Sequence, residues 1–186
     1  MKEKRVIKKW AVVLIVLGLM LIDQIIKFSV KTSMTLGESI NVFGEWFQWC
    51  FVENEGAAFG MKFGGGTGKL ILSLFRLAAI GALIWFIGYL FRKKAPNGVI
   101  VGFAMILAGA AGNMIGSAFY GLIFSPSTFN DVATLFPAGG GYAGLLHGKV
   151  VDMLYFPLVH GTWPTWIPNV GGQSFIFFSP VFNFAD

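Results

Sequence analysis

Three long apolar runs dominate the pattern of hydrophobic and polar positions along this chain. Each run is close to the length of about 20 residues that a helix needs to cross a membrane. They predict three membrane-spanning helices, over Trp10–Val30, Lys69–Phe91 and Gly98 to about Phe124. The stretch between the first two runs is polar and aromatic. Its β-leaning residues between Ile40 and Val52 predict short strands that lie at the interface on the outer side of the membrane.

Composition supports a membrane protein. Apolar residues make up 55% of the chain and charged residues only 12%, whereas soluble domains carry about 25% charged residues. The mean hydropathy is +0.70. We therefore expect an all-α integral membrane protein, a transmembrane helix bundle with a small β-rich outer segment after the first helix and long outer loops. It should form a single domain over residues 1–186.

Basic residues flank the apolar runs and predict the orientation. Lys and Arg residues are frequent before Trp10, and Arg92, Lys93 and Lys94 follow the second run. By the positive-inside rule, the N-terminus and this turn lie in the cytoplasm. The basic residues do not form a stripe interleaved with exposed aromatic residues, so we expect no nucleic-acid partner. The single cysteine, Cys50, excludes an internal disulfide and a Cys-based metal site.

Two segments after the third run lack periodic patterning. Ser125–Lys149 contains Pro126, Pro137 and a run of three glycines from Gly139, and Trp163–Gly172 is also rich in proline and glycine. Such segments are typical of loops. We therefore predict long outer loops, and with three spans the chain ends on the outer side at Asp186.

Two carboxylates occupy apolar surroundings near the end of the chain. Asp152 lies within Val150–Phe156, and Asp186 closes Val181–Asp186. An ionised acid in such surroundings loses hydration unless it is paired, hydrogen-bonded or faces a wet cavity. Two acids that meet in a partly dry site share a proton, so that one serves as base and the other as acid in water activation for peptide hydrolysis. The alternative is that each carboxylate only caps a helix or makes a local turn.

Further polar residues lie within or beside the spans. Asp23 and Lys27 are four residues apart on the first helix, so they share a face, and we interpret them first as a structural pair. Asn54 lies in a glycine-containing stretch where an amide could bind a peptide. For Asn113 an interhelical hydrogen bond and ligand contact are equally open. We expect Arg76 to snorkel towards the interface rather than to face the bundle.

The motifs taken together resemble lipoprotein signal peptidase, the type II signal peptidase of bacterial membranes. They cover nearly the whole chain in the family's order and comprise Asp23-x-x-x-Lys27, Asn54-x-Gly56-Ala57-Ala58-Phe59, Gly112-Asn113, Val150-Val151-Asp152 and Phe182-Asn183-x-Ala185-Asp186. The resemblance implies a four-helix aspartic peptidase of the bacterial inner membrane, without metal or organic cofactor. It implies cleavage of the signal peptide of diacylglyceryl-modified prolipoproteins just before the lipidated cysteine.

The resemblance also assigns roles to individual residues. It implies that Asp152 and Asp186 are the catalytic pair and that Asp23 with Lys27 holds the architecture. The residues that would line or support the substrate site are Asn54, Gly56, Asn113 and Asn183. The substrate would arrive laterally through membrane lipid at a monomeric enzyme, whose acids lie near the outer interface where water reaches them.

Three departures from the family pattern keep alternatives open. Gly116 and Ser117 stand where the family usually has Asp and often Arg, the loops on either side of Asp152 are longer than in compact members, and the fourth helix is missing, so we expect a chain truncated at its C-terminus. One alternative is a non-catalytic relative that binds lipidated or apolar peptides. Another is a small channel or carrier subunit with Asp23, Lys27 and Arg76 along a polar path, although clustering of the acids towards the outer side favours a site over a path.

Overall fold

The helical part of the protein matches the three apolar runs. A computed structural model describes residues 7–55 and 65–186. Within these residues, three helices are long and apolar enough to cross a membrane, which confirms the predicted spans. They are α1 (Lys9–Ser33), α2 (Gly65–Arg92) and α3 (Asn97–Ile115), and α3 continues through a π-helical turn (Gly116–Tyr120) into the short α4 (Gly121–Ile123).

The helices leave much of their apolar surface uncovered by protein. Leu14, Leu21 and Phe75 are more than half exposed, although all three lie on long apolar helices. Exposed apolar helix surface of this extent is typical of contact with lipid. Both α1 and α2 pack on α3, and a small apolar core around Ile100 and Ala104 closes the bundle.

An antiparallel sheet of four strands lies beside the ends of the helices. Its strands are β1 (Ser39–Phe43), β2 (Phe47–Asn54), β3 (Val150–Tyr155) and β6 (Val181–Phe182), in the order β1-β2-β3-β6. Val52 pairs with Asp152, and Leu154 pairs with Phe182. The sheet therefore joins parts of the chain that are about one hundred residues apart in sequence, and it packs through Phe51, Val151 and Met153 onto the ends of α1 and α3.

The extent of this sheet corrects the expected fold class. The predicted all-α bundle placed β-structure only after the first helix. The described residues have four strands beyond that segment: β3 and β6 belong to the four-stranded sheet, and β4 (Val159–Thr162) and β5 (Ser174–Phe177) form a separate hairpin. β3 is buried at four successive positions from Val150. A strand buried on both faces has no polar alternation, and periodicity does not distinguish such a short apolar run from a helix.

The two predicted loops are present as irregular segments. Between Ser125 and Lys149 the structure has turns and a single isolated bridge, from Phe124 to Leu135, and no helix or strand in that segment. The segment Trp163–Gly172 connects the strands of the hairpin formed by β4 and β5. Long stretches of irregular backbone therefore separate α4 from β3 and β4 from β5.

Candidate active site

Asp152 lies at the centre of the sheet, on β3 between β2 and β6. Only 3% of the residue is exposed. The side-chain amide of Asn54 donates to its Oδ2 atom at 3.2 Å, and that of Asn183 donates to its Oδ1 atom at 2.6 Å. Burial raises the pKa of Asp152 to about 6, against the effect of these two amide donors, and the charge of Asp186 raises it further.

Asp186 is held by two donors from different elements. Asn113 of α3 donates from its side-chain amide to Oδ1 at 2.8 Å, and the backbone N–H of Asn183 donates to Oδ2 at 3.2 Å. Asn183 therefore contacts both carboxyl groups, one through its side chain and one through its backbone. The alternative that Asp186 only makes a local turn accounts for its bond to Asn183. It does not account for the bond to Asn113, which is 73 residues away in the sequence.

The predicted pair on α1 forms and extends the network. Lys27 donates to Asp23 at 2.9 Å and to the side-chain oxygen of Asn113 at 2.6 Å, and both charged residues are almost fully buried. Asn113 passes the connection to Asp186 by its amide group. A hydrogen-bonded chain thus runs from the ion pair on α1 to the two carboxyl groups, so that Asn113 makes both an interhelical bond and a contact within the site.

Two glycines on α3 allow the end of the chain to approach the helix. A Cβ atom on Gly109 would overlap the carbonyl oxygen of Ala185, and a Cβ atom on Gly112 would lie 2.7 Å from Oδ2 of Asp23. The small residues of the third span were predicted to permit close helix contact. Here Gly109 and Gly112 admit Ala185 next to the catalytic candidate Asp186 and the side chain of Asp23.

A second ionic cluster, formed by Lys31, Glu53 and Lys149, lies beside the site on β2, with Lys31 and Glu53 buried. Lys31 bonds Glu53 and Ser127, and Lys149 donates to the other oxygen of Glu53 at 3.1 Å. Burial alone would raise the pKa of Glu53, but the charges of Lys31 and Lys149 hold that pKa below its ordinary value. Because Glu53 precedes Asn54 in β2, this cluster fixes the strand that carries the amide donor to Asp152.

The structure corrects one expectation and leaves another outside its range. Arg76 does not snorkel, because its Nη1 atom donates to the side chain of Ser117 at 3.0 Å and so faces α3. Gly56 lies outside the described residues. All other candidate residues belong to the network described above.

Sequence reasoning also missed residues that support the network. Gln24 donates to Asp23 and to the carbonyl of Gly112, and it accepts a bond from the hydroxyl of Tyr120. Its position next to Asp23, as a polar residue inside an apolar run, was a usable signal. Nothing comparable marked Ser117, which is an ordinary small residue in membrane helices.

The arrangement defines a class of protein: a membrane helix bundle, covered by a sheet, in which Asn183 bonds one carboxyl group through its side chain and the other through its backbone. The sequence profile described as Signal peptidase (SPase) II matches residues 15–186. The chain belongs to the signal peptidase II family. It is a bacterial membrane peptidase of the aspartic class, with the function of a lipoprotein signal peptidase. The alternative of a channel or carrier subunit is therefore wrong.

Similar proteins agree with this assignment. The lipoprotein signal peptidase of Porphyromonas gingivalis is 51% identical over 169 residues, which cover 90% of this chain and 73% of that protein. The one of Amoebophilus asiaticus is 34% identical over 182 residues, covering 96% of this chain and 72% of that protein. A solved bacterial membrane enzyme with 23% identity has a TM-score of 0.58 and aligns over 96% of this chain and 79% of its own, which supports the fold.

Proposed function

We propose that the protein removes signal peptides from prolipoproteins with Asp152 and Asp186 as its catalytic pair. The observation that carries this proposal is the shared contact of Asn183, whose side chain donates to Asp152 and whose backbone donates to Asp186. One short segment thereby holds the buried carboxyl group of Asp152 and the exposed carboxyl group of Asp186 next to each other. Interacting carboxyl groups titrate as a unit and hold one proton over an intermediate pH range.

The pair would act by activating water. The ionised carboxylate takes a proton from a water molecule, whose oxygen attacks the carbonyl carbon of the scissile peptide. The protonated carboxyl group donates its proton to the carbonyl oxygen. When the tetrahedral intermediate collapses, the C–N bond breaks and the leaving nitrogen receives a proton from the pair. Burial raises the pKa of Asp152, and the pair as a whole supplies one carboxylate as the base and one carboxyl group as the acid.

The substrate we propose is a prolipoprotein with a diacylglyceryl-modified cysteine next to the cleavage site. Such a peptide is apolar and carries lipid, so it would reach the protein sideways from membrane lipid. Asn54, Asn113 and Asn183 would hold the carboxyl groups in position, and contact of Gly56 with the peptide stays a prediction. We further propose a monomer with its site on the outer side of the inner membrane and with a fourth span beyond the three described.

Cleavage of a purified diacylglyceryl-modified prolipoprotein in detergent tests this function. We expect the wild-type protein to release the signal peptide, and Asp152→Asn and Asp186→Asn each to lower the rate by more than about 100-fold, because each removes a proton-transfer group. Asp131→Asn is the matched control, since Asp131 is an exposed loop carboxylate bonded to Thr128. It should cleave at the wild-type rate.

Two outcomes would contradict the proposal. Turnover retained in Asp152→Asn would exclude Asp152 from the chemistry. Binding of the substrate without cleavage, by the 186-residue chain and by a form extended beyond Asp186, would identify a non-catalytic relative. The extended form belongs in the experiment because a fourth span is part of the proposal.

A further inference from the structure

The hairpin of β4 and β5 connects the two strands that carry the candidate site. It follows β3 after residues 156–158 and leads into β6 through residues 178–180. The chain from Met153 to Ala185 contains no Asp, Glu, Lys or Arg, whereas about 25% of the residues of a soluble domain are charged. Exposed strands in water usually carry charges that prevent aggregation. The hairpin has none of them.

One face of the hairpin is apolar and largely uncovered. Val159 of β4 pairs with Phe177 of β5, and both are more than half exposed. Gly161 pairs with Phe175, and residues two apart along a strand share a face. Trp163 extends this face, since its ring centre lies 4.7 Å from that of Phe175. We call these five residues the aromatic face.

The opposite face of the hairpin is more polar. His160 pairs with Ile176, and Thr162 pairs with Ser174. All four residues are exposed, and three of them carry groups that hydrogen-bond with water. The hairpin therefore has one side suited to water and one side that the described residues leave without cover.

Lipid at the membrane surface fits the aromatic face better than a protein partner does. Aromatic side chains, and tryptophan above all, are enriched at the level of the lipid headgroups. Trp166, in the loop of the same hairpin, is 79% exposed. Protein interfaces obtain much of their specificity from complementary charges, and the hairpin has no such charge to offer.

The hairpin also continues a surface that adjoins the membrane spans. At its base, the ring centre of Phe156 lies 4.6 Å from that of Phe47 and 5.7 Å from that of Phe182. These rings belong to the four-stranded sheet, which packs on the ends of α1 and α3. The exposed apolar surfaces of the helices therefore lead to this sheet and from it to the hairpin.

The backbone of the hairpin limits how deeply it can enter lipid. The sheet of β4 and β5 has only two strands, so each strand has an outer edge whose N–H and C=O groups have no neighbouring strand. Open strand edges do not occur within the hydrocarbon region of a membrane. The arrangement that satisfies both constraints is a hairpin lying flat at the interface, with Thr162 and Ser174 towards water.

We propose that the β4–β5 hairpin docks on the lipid surface of the membrane through its aromatic face and Trp166. The partner is the phospholipid interface, with acyl chains against the aromatic face and headgroups around the strand edges. Docking would keep β3 and β6 next to the membrane, because the hairpin connects these two strands. The contact with lipid itself does not depend on the proposed function.

Fluorescence quenching in vesicles tests the proposal. In a protein with Cys50→Ser, the fluorophore NBD is attached to Phe177→Cys, to Trp166→Cys or, as the control, to Ser174→Cys. Ser174 is exposed on the same strand as Phe177 but on the opposite face. The vesicles contain phosphatidylethanolamine and phosphatidylglycerol, either unmodified or brominated near the glycerol end of the acyl chains. Iodide, present on both sides of the membrane, is the quencher in water.

We expect brominated lipid to quench the labels at Phe177→Cys and Trp166→Cys by about twofold or more, because an interfacial apolar face lies about 5–10 Å into the boundary of headgroups and acyl chains. Iodide should quench the label at Ser174→Cys and have little effect on the other two. The loop position Trp166→Cys keeps the test decisive if Phe177→Cys does not fold.

Three results would overturn the proposal. Quenching of all three labels by iodide and not by brominated lipid would place the hairpin in water. Equal quenching of Ser174→Cys and Phe177→Cys by brominated lipid would exclude contact through one face. Protection of the Phe177→Cys label from both quenchers, with a disulfide between two unlabelled Phe177→Cys chains, would identify a second copy as the partner. Since quenching needs no substrate, a wild type that does not cleave prolipoprotein would bear only on the proposed function.

Discussion

At the scale of the residue, Asp152 combines burial with neutral hydrogen-bond donors. Amide groups from Asn54 and Asn183 bond both of its oxygens, but neither brings a full positive charge. Burial therefore dominates, and the pKa of Asp152 rises from 3.8 to about 6. A raised pKa means that the folded protein binds a proton at Asp152 more tightly than the unfolded chain does.

This difference makes the stability of the protein depend on pH. Below the ordinary pKa of 3.8 both the folded and unfolded states are protonated at Asp152, and the group has no unfavourable effect. As the pH rises to about 6 the folded state is increasingly penalised, and above about 6 the full cost of roughly 3 kcal/mol applies. We expect Asp152→Asn to unfold at a higher temperature than wild type at about pH 7.5 and to lose most of that advantage near pH 4.5.

Thermal unfolding in detergent at these pH values measures the effect. Asp131→Asn replaces an exposed carboxylate and should show no comparable pH-dependent difference. If Asp152→Asn changed the unfolding temperature by the same amount at both pH values, folding would not raise the pKa of Asp152.

At the scale of the element, α3 is built for close approach on one side. Gly109 admits the carbonyl group of Ala185, whereas Gly102 of the same helix has no atom of another group within 4 Å of where its Cβ would lie. The two glycines therefore form a matched pair for substitution. Alanine favours helix by about 1 kcal/mol over glycine at both positions, so only contact with Ala185 distinguishes them.

We expect Gly109→Ala to displace Ala185, and with it Asp186, and to lower the rate of prolipoprotein cleavage by about tenfold or more, because overpacking costs about 1–3 kcal/mol. Gly102→Ala should cleave at the wild-type rate and be slightly more stable. Cleavage assays and thermal unfolding of both variants make the comparison. Equal rates for the two variants would show that cleavage does not depend on the close contact between Ala185 and Gly109.

The strands show where elements could not be read from sequence. The β-leaning residues between Ile40 and Val52 predicted the extended structure of β1 and β2 correctly, whereas β3 carries Asp152 in an apolar run that has no alternation. Its strand conformation depends on β2 and β6 as neighbours on either side. Pairing between distant segments is a tertiary property, which local patterns do not encode.

At the scale of the whole molecule, the network depends on contacts between distant parts of the chain. Asn54 and Asp152 are 98 residues apart in sequence, Lys27 and Asn113 are 86 apart, and Asn113 and Asp186 are 73 apart. The helices bring Lys27 next to Asn113, and the sheet brings Asn54 next to Asp152. The candidate site therefore forms only when bundle and sheet pack together.

The proposed orientation gives a prediction for the protein in cells. With the N-terminus in the cytoplasm, the turn between α2 and α3 lies inside and the loop before β3 lies outside. The test uses cells with a permeabilised outer membrane and a protein in which Cys50→Ser removes the native thiol. A maleimide that does not cross the inner membrane should label Asn130→Cys and not Lys93→Cys, both of which are at exposed positions. Labelling of Lys93→Cys alone would reverse the orientation.

The sequence by itself determined the three spans and singled out polar candidates within or beside them, although it missed Gln24. Apolar length and the rarity of charge are local properties, and a polar residue in such surroundings is conspicuous because its burial is costly. This is why Asp23, Lys27 and the two catalytic candidates could be named without a structure.

Only the tertiary structure decided how those residues are connected. It joined the two carboxyl groups through Asn183, turned Arg76 towards Ser117 instead of the interface, and made β3 the strand between β2 and β6. The physical reason is that hydrogen bonds and charges act over a few ångströms in space, whereas the sequence orders residues along the chain. The partner of a buried polar group is fixed by packing, and packing is complete only in the folded protein.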